Sequence, residues 1–391
     1  MTNKPQFVGE KVRLGELISK AKVERCGNRS FPVYSMTMHD GIVEQSGRFK
    51  KTIASRDTSA YKVVKKNQLV VGFPIDEGVI YVQNHDQPGI MSPAYNVWDF
   101  DSSRITPAYL ELALHSPQSM AYYAEKLRGT TARRRTLTPE GLRALPISLP
   151  SIECQDAVVE VLNGIKDQIA TARKATDELD SLVKSRFVEM FGDVCEGTSY
   201  YDMAPINDLC TRIVGGGTPS MRHPEYYEGG TIPWLKSGDV KARVVESGIL
   251  NITEEGLVNS SARMVPEGSI IVVTRSGILK HSLPVAKAAC PVAINQDLKA
   301  LIPGDCILPD FLQWSLIVAS PLLLSKVRAT TADNIETSFL KSFRVPVPPA
   351  FLQRKFVKLV TQVDKSRFVA QKQIEKLQML YDSLAQEYFG D

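Results

Sequence analysis

A long internal repeat constrains this chain more than any other feature. Residues 145–165, LPISLPSIECQDAVVEVLNGI, are matched by residues 344–363, RVPVPPAFLQRKFVKLVTQV, and each copy runs on to Phe-Gly-Asp, at 191–193 and 389–391. The offset is 198 residues, so Gln155 corresponds to Gln353 and Leu182 to Leu380. Upstream the match loosens but persists: LRGTT at 127–131 is similar to VRATT at 327–331, and TPAYL at 106–110 to LPDFL at 308–312. A repeat of this length makes each copy a structural unit in its own right. Each unit is expected to be a domain of about 150 residues, a Pro-rich hinge and a long terminal segment, within the ordinary size range of a domain.

The terminal segments have helical periodicity. Apolar or small residues fall three or four apart at Val158, Leu162, Ile165, Ile169, Ala172, Thr176, Leu179, Val183, Phe187 and Met190, and again at Phe356, Val360, Val363, Arg367, Ala370, Ile374, Leu377, Tyr381, Leu384 and Tyr388. Only Arg367 interrupts the second seam. Residues 151–198 hold 5 basic and 10 acidic side chains, whereas residues 350–391 hold 7 basic and 5 acidic. That complementarity favours pairing of the two segments with each other as a coiled coil, and the stripe is longer than one small domain can cover. Packing of each helix on its own domain alone is the alternative.

The blocks before each helix are mixed. β-Branched runs bounded by turn residues predict strands at 61–64, 69–73, 79–82, 269–274 and 299–302. Residues 107–115 and 309–318 are expected to be helices that stop at Ser116-Pro117 and Ser320-Pro321. The fold class is therefore α+β: two similar mixed domains separated by two long antiparallel helices, an internal repeat with a pseudo-twofold axis. The boundaries are 1–150 and 196–349 for the domains, and 151–195 and 350–391 for the helical spacers. Apolar residues make up 43% of the chain, enough for two cores. The apolar run at 311–324 is too short and too interrupted to span a membrane. MTNKPQF at the N-terminus lacks the apolar stretch of a signal peptide, and the six cysteines show no zinc-ligand spacing, so a reducing, cytoplasmic location is expected.

Catalytic signatures are missing. No G-x-G-x-x-G follows a strand, no phosphate-binding G-x-x-x-x-G-K-[ST] loop occurs, and Gly215-Gly216-Gly217 leads into Thr-Pro-Ser. The five histidines stand apart, without H-E-x-x-H or a G-x-S-x-G elbow. Ser92-Pro93-Ala94-Tyr95 only approximates the Asp/Asn-Pro-Pro-Tyr motif of amino-methyltransferases. The chain is thus expected not to be an enzyme, and to hold neither metal nor cofactor. Net charge is +4, too small to implicate nucleic acid by itself, although residues 1–150 carry 21 basic against 14 acidic side chains.

The run GGGTPSMRHPEYYEGGTIPWLKSGDV, residues 215–240, resembles the opening of a target recognition domain in the specificity (S) subunits of type I restriction-modification systems. The duplicated L-P-x-x-x-P-x-x-x-x-Q stretch leading into a long helix resembles the spacers of that family. The first domain departs from the pattern, carrying GIVEQ at 41–45 and GIMSPAY at 89–95 in place of GGGTPS. What the resemblance implies is a non-catalytic reader of double-stranded DNA, one half-site per target recognition domain. It would dock two methylation (M) subunits and, in the full complex, restriction (R) subunits, with S-adenosylmethionine, ATP and magnesium on those partners. A helix of roughly 38 residues is about 57 Å long at 1.5 Å per residue, which would set an unread gap of up to about 17 base pairs. A coiled-coil scaffold for proteins, with no sequence-specific DNA readout, is the competing expectation.

For DNA contact the first domain offers Arg48, Lys50, Lys51 and Arg56, a basic loop around Gly47, and Arg133, Arg134 and Arg135 after LRGTT. The second offers Thr218, Ser220, Arg222, Lys236, Arg275 and Lys280, with Arg328 and Thr331. Arginine suits both guanine edges and phosphates. Each of these residues could instead sit in a solvated basic loop. Gly215 to Gly217 are equally compatible with a plain tight turn, and Trp234 with a core position rather than a base-stacking one.

Overall fold

The structure is a computed structural model and describes residues 9–38, 40–48, 57–127, 137–329 and 333–390. The chain divides into two compact units, Met1–Arg173 with Lys372–Asp391, and Lys174–Gln371. The first contains strands β1 (Glu10–Arg13), β2 (Ile18–Lys20), β3 (Tyr34–Met36), β4 (Ile42–Glu44), β5 (Lys62–Val64), β6 (Leu69–Val71), β7 (Ile80–Val82), β8 (Gly89–Met91), β9 (Asn96–Phe100) and β10 (Pro146–Leu149). Its helices are α1 (Gln45–Arg48), α2 (Pro107–Leu114), α3 (Pro117–Lys126) and α4 (Pro139–Arg143). Two 40-residue helices, α5 (Ile152–Phe191) and α11 (Ala350–Phe389), contribute one part to each unit. The second unit adds β11 (Met203–Pro205), β12 (Cys210–Gly215), β13 (Ile232–Leu235), β14 (Val244–Val245), β15 (Leu250–Ile252), β16 (Arg263–Val265), β17 (Ile270–Val273), β18 (Val285–Ala288), β19 (Val292–Ile294), β20 (Leu298–Pro303), β21 (Arg328–Ala329), β22 (Asp333–Asn334) and β23 (Arg344–Pro346). Its shorter helices are α6 (Ile206–Leu209), α7 (Glu254–Val258), α8 (Pro309–Val318), α9 (Ser320–Leu324) and α10 (Thr337–Ser342).

The duplication read from the sequence is a duplication of topology. The first unit has a sheet ordered β2-β9-β6-β7, and the second repeats it as β12-β20-β17-β18 with β14 added at the edge. β5 pairs antiparallel with β8, as β16 does with β19. The parallel pairing of β13 with β19 has a vestige in the first unit, a single parallel bridge from Val33 to Ile90. All five sequence-predicted strands are present, as β5, β6, β7, β17 and β20. α2 and α8 end where expected, but the Ser-Pro pairs also start new helices. Ser116 caps α3 by accepting from the Ser119 amide, with Pro117 in the first turn, where a missing N–H costs nothing.

The Pro-rich stretches are strands rather than hinges. β10 pairs antiparallel with β1, Val12 opposite Ile147, and β23 pairs with β11, Ala204 opposite Val345. Behind each lies a buried glutamine. The Gln155 side chain accepts from the Thr106 amide at 2.8 Å and donates to the Arg104 and Pro150 carbonyls. Gln353 accepts from the Leu308 amide at 2.9 Å and donates to the Cys306 and Pro348 carbonyls. Their exposures are 0% and 1%. Each amide thereby satisfies three backbone groups where helix entry would otherwise leave them orphaned.

The seam residues are buried or half-buried and none is exposed, as the periodicity requires. In the first unit Val158, Leu162, Ile165 and Ile169 of α5 share a core with Ile374, Leu384, Ala385, Tyr388 and Phe389 of α11. In the second, Val183, Phe187 and Phe191 of α5 share one with Phe356, Val360 and Val363 of α11. The beginning of each helix therefore meets the end of the other, so they pair antiparallel. Mutual pairing therefore holds and packing on its own domain alone does not, although each helix also packs on the sheets of the units it enters. Arg367, the break in the seam, is matched: its guanidinium binds both carboxylate oxygens of Asp180, one of them at 2.9 Å. Arg243 joins this cluster through Asp364 and lies 5.0 Å over the Trp314 ring. Among the described residues no helix is long and apolar enough to cross a membrane.

Candidate nucleic-acid interface

One loop organises the second unit's rim. Asn295-Gln296-Asp297 links β19 to β20, and every strand end around it is tied to it. The Asn295 amide donates to the Leu235 carbonyl at the end of β13. Thr274 and Arg275, just past β17, both donate their amides to the Asp297 carbonyl. Asn295 and Asp297 close on each other, Nδ2 to Oδ2 and the Asp297 amide to Oδ1, both at 3.0 Å. Just before the loop, the Ile294 carbonyl accepts from the Gly217 amide at 3.1 Å.

Two of the three glycines, Gly216 and Gly217, are explained by this crowding. A Cβ on Gly216 would lie 1.8 Å from the Ile294 oxygen, and one on Gly217 1.8 Å from the Ser261 Oγ. No side chain fits there, so their role is close approach of backbones. Trp234 is 2% exposed and donates its indole N–H to the Gly217 carbonyl at 3.2 Å. It is a core residue that props the glycine run.

Around this loop the structure gathers several of the residues singled out above. Thr218 is exposed and donates its hydroxyl to Gln296 Oε1 at 2.7 Å. Arg275 donates Nε to Asp297 at 2.8 Å and is half exposed. Lys236 follows β13, its Nζ 5.7 Å above the Trp234 ring. Lys280 ends the 3-10 turn Gly277–Lys280, 3.7 Å from the buried Asp333 carboxylate, and Asp333 accepts the Ser276 amide through its carbonyl. Ser220 and Arg222 lie in the exposed turn beyond, where the Ser220 Oγ accepts from the Arg222 amide. The Arg328 and Arg48 side chains, and Thr331, Lys50, Lys51, Arg56, Arg133, Arg134 and Arg135, lie outside the described residues.

Two further cationic groups come from residues not singled out by the sequence. Lys299 stands opposite Gly215 in the β12–β20 ladder, and its Nζ lies 2.5 Å from where a Gly215 Cβ would be. Burial, then the charges of Arg275 and Lys341, hold its amine below the ordinary lysine range. In the first unit Lys62 of β5 donates Nζ to the Tyr95 carbonyl at 2.5 Å. Burial, then Lys20 and Arg25, lower it in the same way. These clusters draw on residues from separate strands, which a linear scan for basic runs does not connect. Elsewhere burial raises the thiols of Cys154 and Cys195 and pushes Cys210 up to about 12, so none of these three is a thiolate at neutral pH. Among the described residues no group of three His, Cys, Asp or Glu side chains could hold a metal ion.

Residues 199–379 match the family model "Type I restriction modification DNA specificity domain". That region of the chain is similar to a type I restriction modification DNA specificity domain. The specificity subunit of the type I restriction enzyme EcoR124I/EcoR124II from Escherichia coli is 36% identical over 152 residues, 38% of this chain and 38% of that protein. The MjaIX specificity subunit from Methanocaldococcus jannaschii is 29% identical over 196 residues, 49% of this chain and 44% of that protein. These alignments thus span about two fifths of the relatives' length. Two solved structures share the fold over nearly the whole chain. One is a chain from a type I R-M system studied for complex assembly and conformational transition, at 18% identity, TM-score 0.60, covering 99% of both chains. The other is the S subunit of a type I restriction-modification system from M. genitalium, at 15% identity, TM-score 0.52, covering 100% of this chain and 98% of that one. The matched region takes in the glycine run, the Asn295-Gln296-Asp297 loop and the cations around it.

Proposed function

We propose that this chain is the DNA sequence-specificity subunit of a type I restriction-modification complex. It reads a bipartite duplex target, one half-site with residues 1–150 and the other with residues 196–349, while residues 151–195 and 350–391 act as spacers. The chain itself catalyses nothing. Two methylation subunits dock on it and bring S-adenosylmethionine; restriction subunits, where present, bring ATP and magnesium. Its place of work is the cytoplasm, where the cell's own DNA is.

One observation carries this reading: a DNA specificity domain is built on a framework that occurs twice in the chain, while the loops at the rim differ between the copies. Two copies of one framework with different rims are what two different half-sites require. The cations at each rim, Lys299 with Arg275 and Lys341, and Lys62 with Lys20 and Arg25, are suited to phosphates.

The test is footprinting with the full chain and its methylation partners. A bipartite footprint is expected, with affinity falling steeply as log salt rises. Inserting one heptad into both α5 and α11 should lengthen the preferred gap. A single contiguous footprint, or binding indifferent to salt, would refute the assignment.

A further inference from the structure

We infer that Gln296 is a base-reading side chain of the second half-site, and that its base is adenine. The inference rests on the reading above that this rim meets DNA. Gln296 is the one exposed member of a loop whose neighbours are spent on structure: Asn295 is 4% exposed, and Asp297 binds Arg275 and Asn295. The loop is held on three sides, by Leu235, by Thr274 and by the Gly217 amide on Ile294. Its apex therefore has little freedom, which is what a precise contact needs.

The Gln296 amide is also oriented. Thr218 donates to one lone pair of Oε1, leaving the second lone pair and both Nε2 hydrogens unused. A carboxamide with one acceptor and one donor free side by side complements the major-groove edge of adenine, where N6 donates and N7 accepts. Guanine offers two acceptors there and pyrimidines one group each, so neither satisfies both halves of the amide. The surrounding cations, Lys236, Arg275 and Lys299, are placed for the phosphates that flank such a base.

The experiment compares the full chain with Gln296→Ala, Gln296→Glu and Lys299→Met, each purified with its native methylation partners. Duplexes are selected from a randomised library and binding is then titrated on the selected sites. For Gln296→Ala the preference at one adenine position of one half-site should fall about 5- to 150-fold, the worth of a bidentate base contact, with the salt slope unchanged. Gln296→Glu should shift that position toward cytosine, whose N4 donates. Lys299→Met should weaken all sites alike and shallow the salt slope. If Gln296→Ala selects the same motif at the same strength, or weakens every site equally, the inference fails while the specificity function stands. If the unsubstituted complex selects no motif at all, the specificity function fails and takes the inference with it. Gln296 is exposed, so its variants should keep the thermal unfolding of the parent, and a lowered midpoint would count against the inference too.

Discussion

The two units share a skeleton and differ at the rim, and the difference separates residues that serve folding from those to which the proposed function gives recognition. Gln155 and Gln353 make the same three hydrogen bonds to corresponding backbone groups. The β8–β9 turn, Ser92-Pro93-Ala94-Tyr95, occupies the place of Asn295-Gln296-Asp297, yet shares none of its residues. In the first unit the turn closes on itself, the Ser92 Oγ accepting from the Ala94 amide, and its Tyr95 ring packs 5.4 Å from Phe73. In the second unit a polar side chain projects from the apex. A duplicated reader that kept its skeleton and changed its turns would read two different sequences.

The cores differ as well, and the largest predicted effect tests that. Phe356 corresponds to Val158 at the 198-residue offset, and both are 0% exposed. Phe356 sits among Phe187, Phe191, Phe311 and Trp314, with ring centroids 5.3 to 6.4 Å away. Phe356→Ala should cost about 3–5 kcal/mol, against about 1.5–2 for Val158→Ala, from denaturant unfolding. Equal losses would mean that the aromatic cluster does not dominate the second core.

The glutamines come next. Gln155→Leu or Gln353→Leu would orphan one amide and two carbonyls in a buried place, and each should cost about 2–4 kcal/mol, given about 1–3 for one unsatisfied group. The two costs should agree within about 1 kcal/mol, the usual scatter among similar sites. A larger gap would break the equivalence of the two skeletons.

The skeleton was legible in the sequence because it is periodic and repeated. The ten-position seams, the strands at 61–64, 69–73, 79–82, 269–274 and 299–302, and the Gln155–Gln353 correspondence all follow from spacing or offset. The rim was only partly legible, because it is assembled across strands. Thr218 and Arg275 were singled out from the glycine run and from basic character. Gln296 was not singled out, since nothing in VAINQDL announces that Asn295 and Asp297 are internal and Gln296 is not. Lys299 was missed because its neighbours Arg275 and Lys341 are distant in sequence. Arg367 read as a flaw in the seam because its partner, Asp180, lies on the other helix.

The smallest predicted effects separate the two half-buried lysines. Both amines sit below the ordinary lysine range, through burial and then through two nearby cations. A lysine depressed in the folded state binds its proton less readily there than in the unfolded chain. Each therefore opposes folding while both states are charged, and that penalty fades as pH rises through the depressed value toward about 10.4, the unfolded value. Relative to a Met variant, the parent chain should thus gain stability as pH climbs into the alkaline range. Lys299→Met should leave stability unchanged or raised at neutral pH, while the log-log salt slope of DNA binding shallows by about 1. Lys62→Met should shallow the slope by the same amount but lose stability, because Lys62 also donates to the Tyr95 carbonyl and so holds the Ser92–Tyr95 turn. If both variants behave alike in unfolding, that hydrogen bond does not hold the first rim, and the contrast drawn between a self-closed turn and a projecting one loses its support.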